Sequence, residues 1–227
     1  THQSIDDIAI MRVIPNMTVL EVGDATEVES ILDVAHAIDG PVYLRMLRGE
    51  VPRLFDTPME FNKARVLTCA GEDINEPADI VIVTSGICTE EAMRAVPAIV
   101  DRGLKVTHLH VSTLKPFSDP TVTAALASAR KGVITMENHL VTGGLGSAVA
   151  EVMAENAMAV PLSRIGLNDT YAHGASLPYL LKEYQLDARA LVDRVETLTG
   201  SSLSIPDSDL AQIRVAALHS EAKAEAL

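Results

Sequence analysis

Apolar residues recur along this chain with two periods, and the switching between them sets the expected elements. Ile5, Ile8, Ala9 and Met11 fall close to helical spacing within Ser4 to Val13, and Pro15 disfavours helix at the residue before it. Met17 to Val22 reads as a short strand. Gly23-Asp24-Ala25-Thr26 then turns into a second helix whose Val28, Ile31, Leu32 and Ala35 share a face, with Asp24 as N-cap and Glu27 placed as in a capping box. Gly40-Pro41 stops that helix, and Pro41 to Leu47 predicts a further strand leading into Arg48-Gly49. Helix, strand, helix, strand is half of a doubly wound sheet.

From Glu50 to Ala78 the periods break down at Pro52, Pro58, Gly71 and Pro77, and an acidic cluster of Glu72, Asp73 and Glu76 intervenes. This reads as a linker, with a small strand at Arg65 to Cys69 that pairs back as a hairpin. Asp79 to Ile205 then cycles regularly. Strands are expected at Ile80 to Val83, Lys105 to Val111, Gly132 to Met136 and Pro161 to Leu167, with helices at Glu90 to Arg102, Pro120 to Ala129 and Ser147 to Ala157. Two further helices, Tyr179 to Tyr184 and Ala188 to Leu198, close the pattern. Strands separated by helices of this length imply parallel pairing covered on both faces. The expected organisation is 1–55, a 56–78 linker, 79–205 and a 206–227 tail.

Composition supports a buried core: 227 residues are 48% hydrophobic, with 3% aromatics and no Trp, as in sheets covered by helices. The formal charge of -13 repels nucleic-acid backbones and anionic membranes, and no basic patch offsets it. The apolar runs fall short of a membrane span, so neither nucleic acid nor membrane is an expected partner and the expected location is cytoplasmic. Cys69 and Cys88 lack zinc-site spacing and read as buried free thiols.

Several residues could carry chemistry. Gly143-Gly144-Leu145-Gly146-Ser147 follows a strand and opens a helix, so its N–H groups could face an anion; close packing explains the glycines equally. Glu137-Asn138-His139 sits at an expected strand end, suited to acid–base work or to a satisfied polar role. His108 and His110 share one face of a strand, as metal ligands or as a structural pair. His173 is a loop histidine beside Gly174, and Ser176 is placed to cap the next helix. Arg45 and Arg48, at the end of an apolar strand, could fork a phosphate oxygen pair or form salt bridges with Glu21 or Glu50.

Taken together, Thr1-His2-Gln3, Ile14-Pro15-Asn16-Met17-Thr18-Val19, Gly40-Pro41-Val42-Tyr43-Leu44-Arg45, Asp79 to Gly86, Leu114-Lys115-Pro116-Phe117 and Glu137-Asn138-His139 through Gly146-Ser147 resemble the C-terminal half of transketolases. The similarity is strongest to the short subunit of transketolases made as two polypeptides. It implies an α/β fold: a partial doubly wound, parallel-sheet pyrimidine-binding domain followed by a three-layer α/β/α C-terminal domain. It also implies a catalytic role for His2, hydrogen-bonding sugar or intermediate oxygens, and binding of the sugar phosphate by Arg45 and, through the Arg-x-x-Arg-Gly pattern of deoxyxylulose-phosphate synthases, Arg48.

By the same resemblance the glutamate that activates the cofactor and the aromatic residue that stacks on it belong upstream of position 1. The Gly-Asp-Gly motif that grips the diphosphate belongs to a separate domain or subunit. The assembled enzyme is expected to use thiamine diphosphate and Mg2+, to contain a second copy of this chain and a diphosphate-binding N-terminal subunit, and to move a two-carbon ketol unit from a ketose to an aldose. The chain alone is expected to bind no cofactor or metal and to be inactive. Competing readings are a deoxyxylulose-phosphate synthase, a 2-oxoacid dehydrogenase beta-type subunit, or a non-catalytic dimerisation module.

Overall fold

The computed structural model of the protein describes residues 4–47, 49 and 51–211. In chain order these form α1 (Asp7–Val13), β1 (Thr18–Glu21), α2 (Ala25–His36), β2 (Val42–Arg45), β3 (Arg65–Thr68), β4 (Ala78–Thr84), α3 (Cys88–Asp101), β5 (Val106–His110), β6 (Thr113–Lys115), α4 (Pro120–Ser128), β7 (Ala129–Leu140), α5 (Leu145–Glu155), β8 (Leu162–Leu167), α6 (Leu177–Glu183), α7 (Ala188–Thr199) and α8 (Asp207–Ala211).

The larger sheet has the order β3-β5-β4-β7-β8, parallel throughout except for β3 at one edge. Its centre explains the unbroken apolar run of β4. Ile80 and Ile82 pack on one face with Ile99, Leu191 and Val195, while Val81 and Val83 pack on the other with Leu126, Leu145 and Val149. A strand buried on both sides has no polar positions to alternate with. The smaller sheet, β2-β1-β6, pairs β1 in parallel with β2 and antiparallel with β6. Because β6 comes from the later half of the chain, the two sheets are tied together by strand pairing as well as by Ile8 of α1, which enters the core beneath α4 and α5.

The fold class is α/β with parallel sheets, as the pattern predicts, but several local expectations are revised. The Arg65 strand forms no hairpin; it pairs antiparallel with β5, Arg65 opposite His110. β7 does not end at Met136: it continues through Glu137-Asn138-His139 to Leu140, with a register shift before Leu140. Ser176 occupies the N-cap of α6 without a side-chain capping bond. Cys88 is buried, and burial pushes its thiol well up, whereas Cys69 is only half-buried; both are free. Among the described residues no helix is long and apolar enough to cross a membrane.

Asp24 does cap α2, accepting from the Glu27 N–H at 2.8 Å. The return bond differs from a simple capping box: the Glu27 carboxylate accepts from the Gly23 N–H at 2.9 Å. The second Asp24 oxygen accepts from the Leu54 and Phe55 N–H groups at 2.8 and 2.9 Å, so one side chain fixes both the helix start and the chain that follows β2.

Candidate functional site

Arg45 ends β2 and projects into a cluster gathered from four segments. Its Nε donates to Asp7 Oδ2 at 3.0 Å and its Nη1 to Glu21 Oε1 and to Asn138 Oδ1, the latter at 3.2 Å. Nη2 donates to the Ser4 and Asn138 carbonyls, both at 3.1 Å. A guanidinium has five N–H donors, and all are engaged. Burial opposes charge here and is the largest single influence on Asp7, yet Arg45, the Tyr43 hydrogen bond and a backbone N–H together hold its carboxyl below its usual range, and the paired carboxylates hold Arg45 above its own. Tyr43 donates to Asp7 Oδ2 at 2.7 Å, and burial with that carboxylate pushes its phenol up to about 12. Of the two readings of Arg45, the Glu21 salt bridge is present, and a phosphate contact would have to displace a bond already made. Arg48, Glu50 and His2 lie outside the described residues.

Sequence reasoning points to Glu21 as a partner but misses Asp7. The signal is there: Asp7 shares a helix face with Met11, and an acid on an apolar face needs a buried cation. Asn138 reads from sequence as part of a strand-end triplet, without its role of fastening β7 to β2.

Glu137 and His139 are fully buried, and their partners are internal. The Glu137 carboxylate accepts from the Leu145 and Gly146 N–H groups at 2.7 and 2.8 Å, at the start of α5. The anion that this glycine segment could have faced is therefore the chain's own side chain. Arg12 seals the turn by donating to the Gly143 carbonyl at 2.8 Å. Burial nevertheless pushes Glu137 up to about 8, against the pull of those N–H groups. His139 Nδ1 lies 2.7 Å from the Leu140 carbonyl, so that nitrogen carries the proton and Nε2 accepts from the Ala9 N–H at 3.4 Å. With both ring nitrogens committed and Glu137 at 3.9 Å, the pair serves packing rather than an open acid–base site.

His108 and His110 belong to a second buried network that joins the two halves of the chain. His110 Nε2 is 3.0 Å from Glu27 Oε2 and Nδ1 is 2.7 Å from Thr89 Oγ1. Ser112 and Arg65 donate to Glu27 Oε1 at 2.7 and 3.0 Å. Burial alone would raise Glu27, but His110 and the other donors hold it at about 2. His108, 3.0 Å from Thr84 Oγ1, is pushed down to about 3 by burial and by His110. Among the described residues no group of three or more His, Cys, Asp or Glu is arranged to hold a metal. His173 is exposed, with Nδ1 3.0 Å from the Tyr184 hydroxyl.

A cavity of about 630 Å³ opens beside the Arg45 cluster, lined from both sheets by residues that include Arg45, Leu47, Asn138, Leu167 and His173. These lie at or beyond the carboxyl ends of parallel strands, the usual ligand side of α/β folds.

Comparison with known proteins gives this architecture its family. Residues 1–53 match the transketolase pyrimidine binding domain and residues 69–191 the transketolase C-terminal domain. The chain is 36% identical, over 88% of its length and 60% of the relative's, to a 6-deoxy-6-sulfo-D-fructose transketolase subunit of Clostridium sp. (strain MSTE9). It is 31% identical, over 85% of its length and 60% of the relative's, to an apulose-4-phosphate transketolase subunit of Actinobacillus succinogenes. A solved structure described as a split gene transketolase, inactive beta4 tetramer, superposes with a TM-score of 0.76 at 36% identity, covering 87% of this chain and 62% of that one. The chain spans 60% of the length of both curated relatives. With two consecutive transketolase domains matched on a parallel α/β fold, this chain belongs to the transketolase family.

Proposed function

We propose that this chain is the pyrimidine-binding and C-terminal subunit of a transketolase made as two polypeptides, moving a two-carbon ketol unit from a phosphorylated ketose to an aldose. The observation that carries this reading is similarity over 88% and 85% of the chain to two proteins that are themselves named as transketolase subunits. In the assembled enzyme, thiamine diphosphate bound with Mg2+ would supply the carbanion chemistry.

The described residues do not fit that diphosphate and its metal. No acidic cluster among them is set to ligate a cation, and the N–H groups at the start of α5 are taken by Glu137. We therefore assign the diphosphate grip to the partner subunit, and to this chain the positioning of the pyrimidine side and of the sugar. His2 is proposed to hydrogen-bond the sugar oxygens. The phosphate contact is proposed for Arg48, with Arg45 holding β2 against Asp7 and Glu21. The support for dividing the arginines this way is the donor count at Arg45.

The test is kinetic, on the chain combined with a diphosphate-binding subunit. Arg48→Ala should raise KM for a phosphorylated ketose at least about tenfold, the loss of one charge-assisted contact, and leave unphosphorylated substrates unchanged. Equal losses on both would remove Arg48 from the phosphate site. Consumption of pyruvate rather than ketose would favour the deoxyxylulose-phosphate synthase or 2-oxoacid dehydrogenase reading.

A further inference from the structure

The cavity beside Arg45 has a floor with specific hydrogen-bonding properties. Asn138 lines it, and Arg45 grips the Asn138 side-chain and backbone oxygens at 3.2 and 3.1 Å. A guanidinium only donates, so the amide oxygen must face Arg45 and the Nδ2 group is turned away. Its hydrogens have no partner among the described residues. This is a donor held in place before any ligand arrives.

The surrounding charges narrow what that donor can meet. Arg45 has no N–H left for an anion, and the two carboxylates of Asp7 and Glu21 against one guanidinium repel one. The two carboxylates offer a cation no free acceptor either. The unpartnered oxygens, Asp7 Oδ1 and Glu21 Oε2, are sealed from solvent, and their companion oxygens are already bonded to Arg45 and Tyr43. Above the floor the walls are apolar, with Ile87, Leu167 and Leu181 from the larger sheet and its helices. Exposed His173 and half-buried Tyr184 add a polar edge. The volume of about 630 Å³ is that of a small-molecule site.

We propose that this cavity binds a small uncharged molecule with an apolar body and a hydrogen-bond acceptor, such as a ketone or amide carbonyl, seated on Asn138 Nδ2. The proposal does not depend on the transketolase reading. Since its walls come from both sheets, the bound molecule touches the pyrimidine-binding part and the C-terminal part at once, and its binding stabilises their contact.

The test compares three probes of one shape on the full chain by calorimetry and thermal melting near neutral pH: acetophenone, benzoate and benzylamine. Acetophenone should bind saturably, at least about tenfold more tightly than either charged probe, and should raise Tm. Ala175→Trp, on the exposed loop lining the cavity, should fill the space and abolish binding. Asn138→Ala should weaken acetophenone about tenfold. Equal binding of all three probes, no saturable binding of acetophenone, or unchanged binding to a folded Ala175→Trp protein would each overturn the proposal. If Asn138→Ala fails to fold, the probe series on the unaltered protein decides.

Discussion

At the scale of single residues, the chemistry of this chain is dominated by buried charge that is paired internally. Arg45 is ion-paired with both Asp7 and Glu21, whose side chains are 8% and 3% exposed. Removing one partner of a buried pair leaves an uncompensated charge, so Arg45→Ala should lower unfolding free energy by about 3–5 kcal/mol. Denaturant titration checks this, and a loss within experimental error would mean that the carboxylates find other partners. Sequence pattern makes Arg45 legible because a cation ending an apolar strand stands out. It does not show that five acceptors converge on it, since Ser4, Asp7, Glu21 and Asn138 are brought together only by the tertiary fold. The same limit applies at Glu137. Its place near a strand end is readable, but its position over the N–H groups of Leu145 and Gly146 depends on how β7 meets α5.

At the scale of elements, local signals work where one residue type sets the geometry and fail where pairing is remote. Asp24 before α2 is legible because only a short polar side chain satisfies the first N–H groups of a helix. That it also holds Leu54 and Phe55 is not, because those bonds span a long stretch of chain. Asp24→Ala should therefore cost more than a cap alone, roughly 2–4 kcal/mol, since two buried N–H groups lose their acceptor as well. Asp24→Asn, which keeps one oxygen, should fall between the wild type and Asp24→Ala, and equal stability of the two variants would contradict the double role of Asp24. β6 is three residues long and carries too little pattern to reveal its period, yet it joins the two halves of the chain. β4 is the opposite case: its apolar run, bounded by turn residues, reads directly as a strand buried on both faces.

For the whole molecule, the buried titrating groups give stability a definite dependence on pH. Glu27 is held at about 2, below its ordinary 4.5, so its contribution is present above 4.5 and lost as pH falls through 2. His108 is held at about 3 against 6.5, so acid also favours the unfolded chain, which takes up the proton that the folded state refuses. Glu137 has the opposite sign: raised from 4.5 to about 8, its contribution is full below 4.5 and lost as pH rises through 8. Melting temperature should thus decline on both the acid and the alkaline side. Glu137→Gln should flatten the decline between about pH 4.5 and pH 8, whatever its effect on absolute stability; parallel curves for the two proteins would assign the alkaline limb elsewhere. In the function proposed above, this chain works only together with a diphosphate-binding transketolase subunit. The most direct test is ketol transfer measured while the chain is titrated with a diphosphate-binding subunit in the presence of thiamine diphosphate and Mg2+. The expected result is no transfer by the chain alone and a rise that saturates at a fixed subunit ratio. Transfer by the chain alone, or none at any ratio, would contradict that proposal.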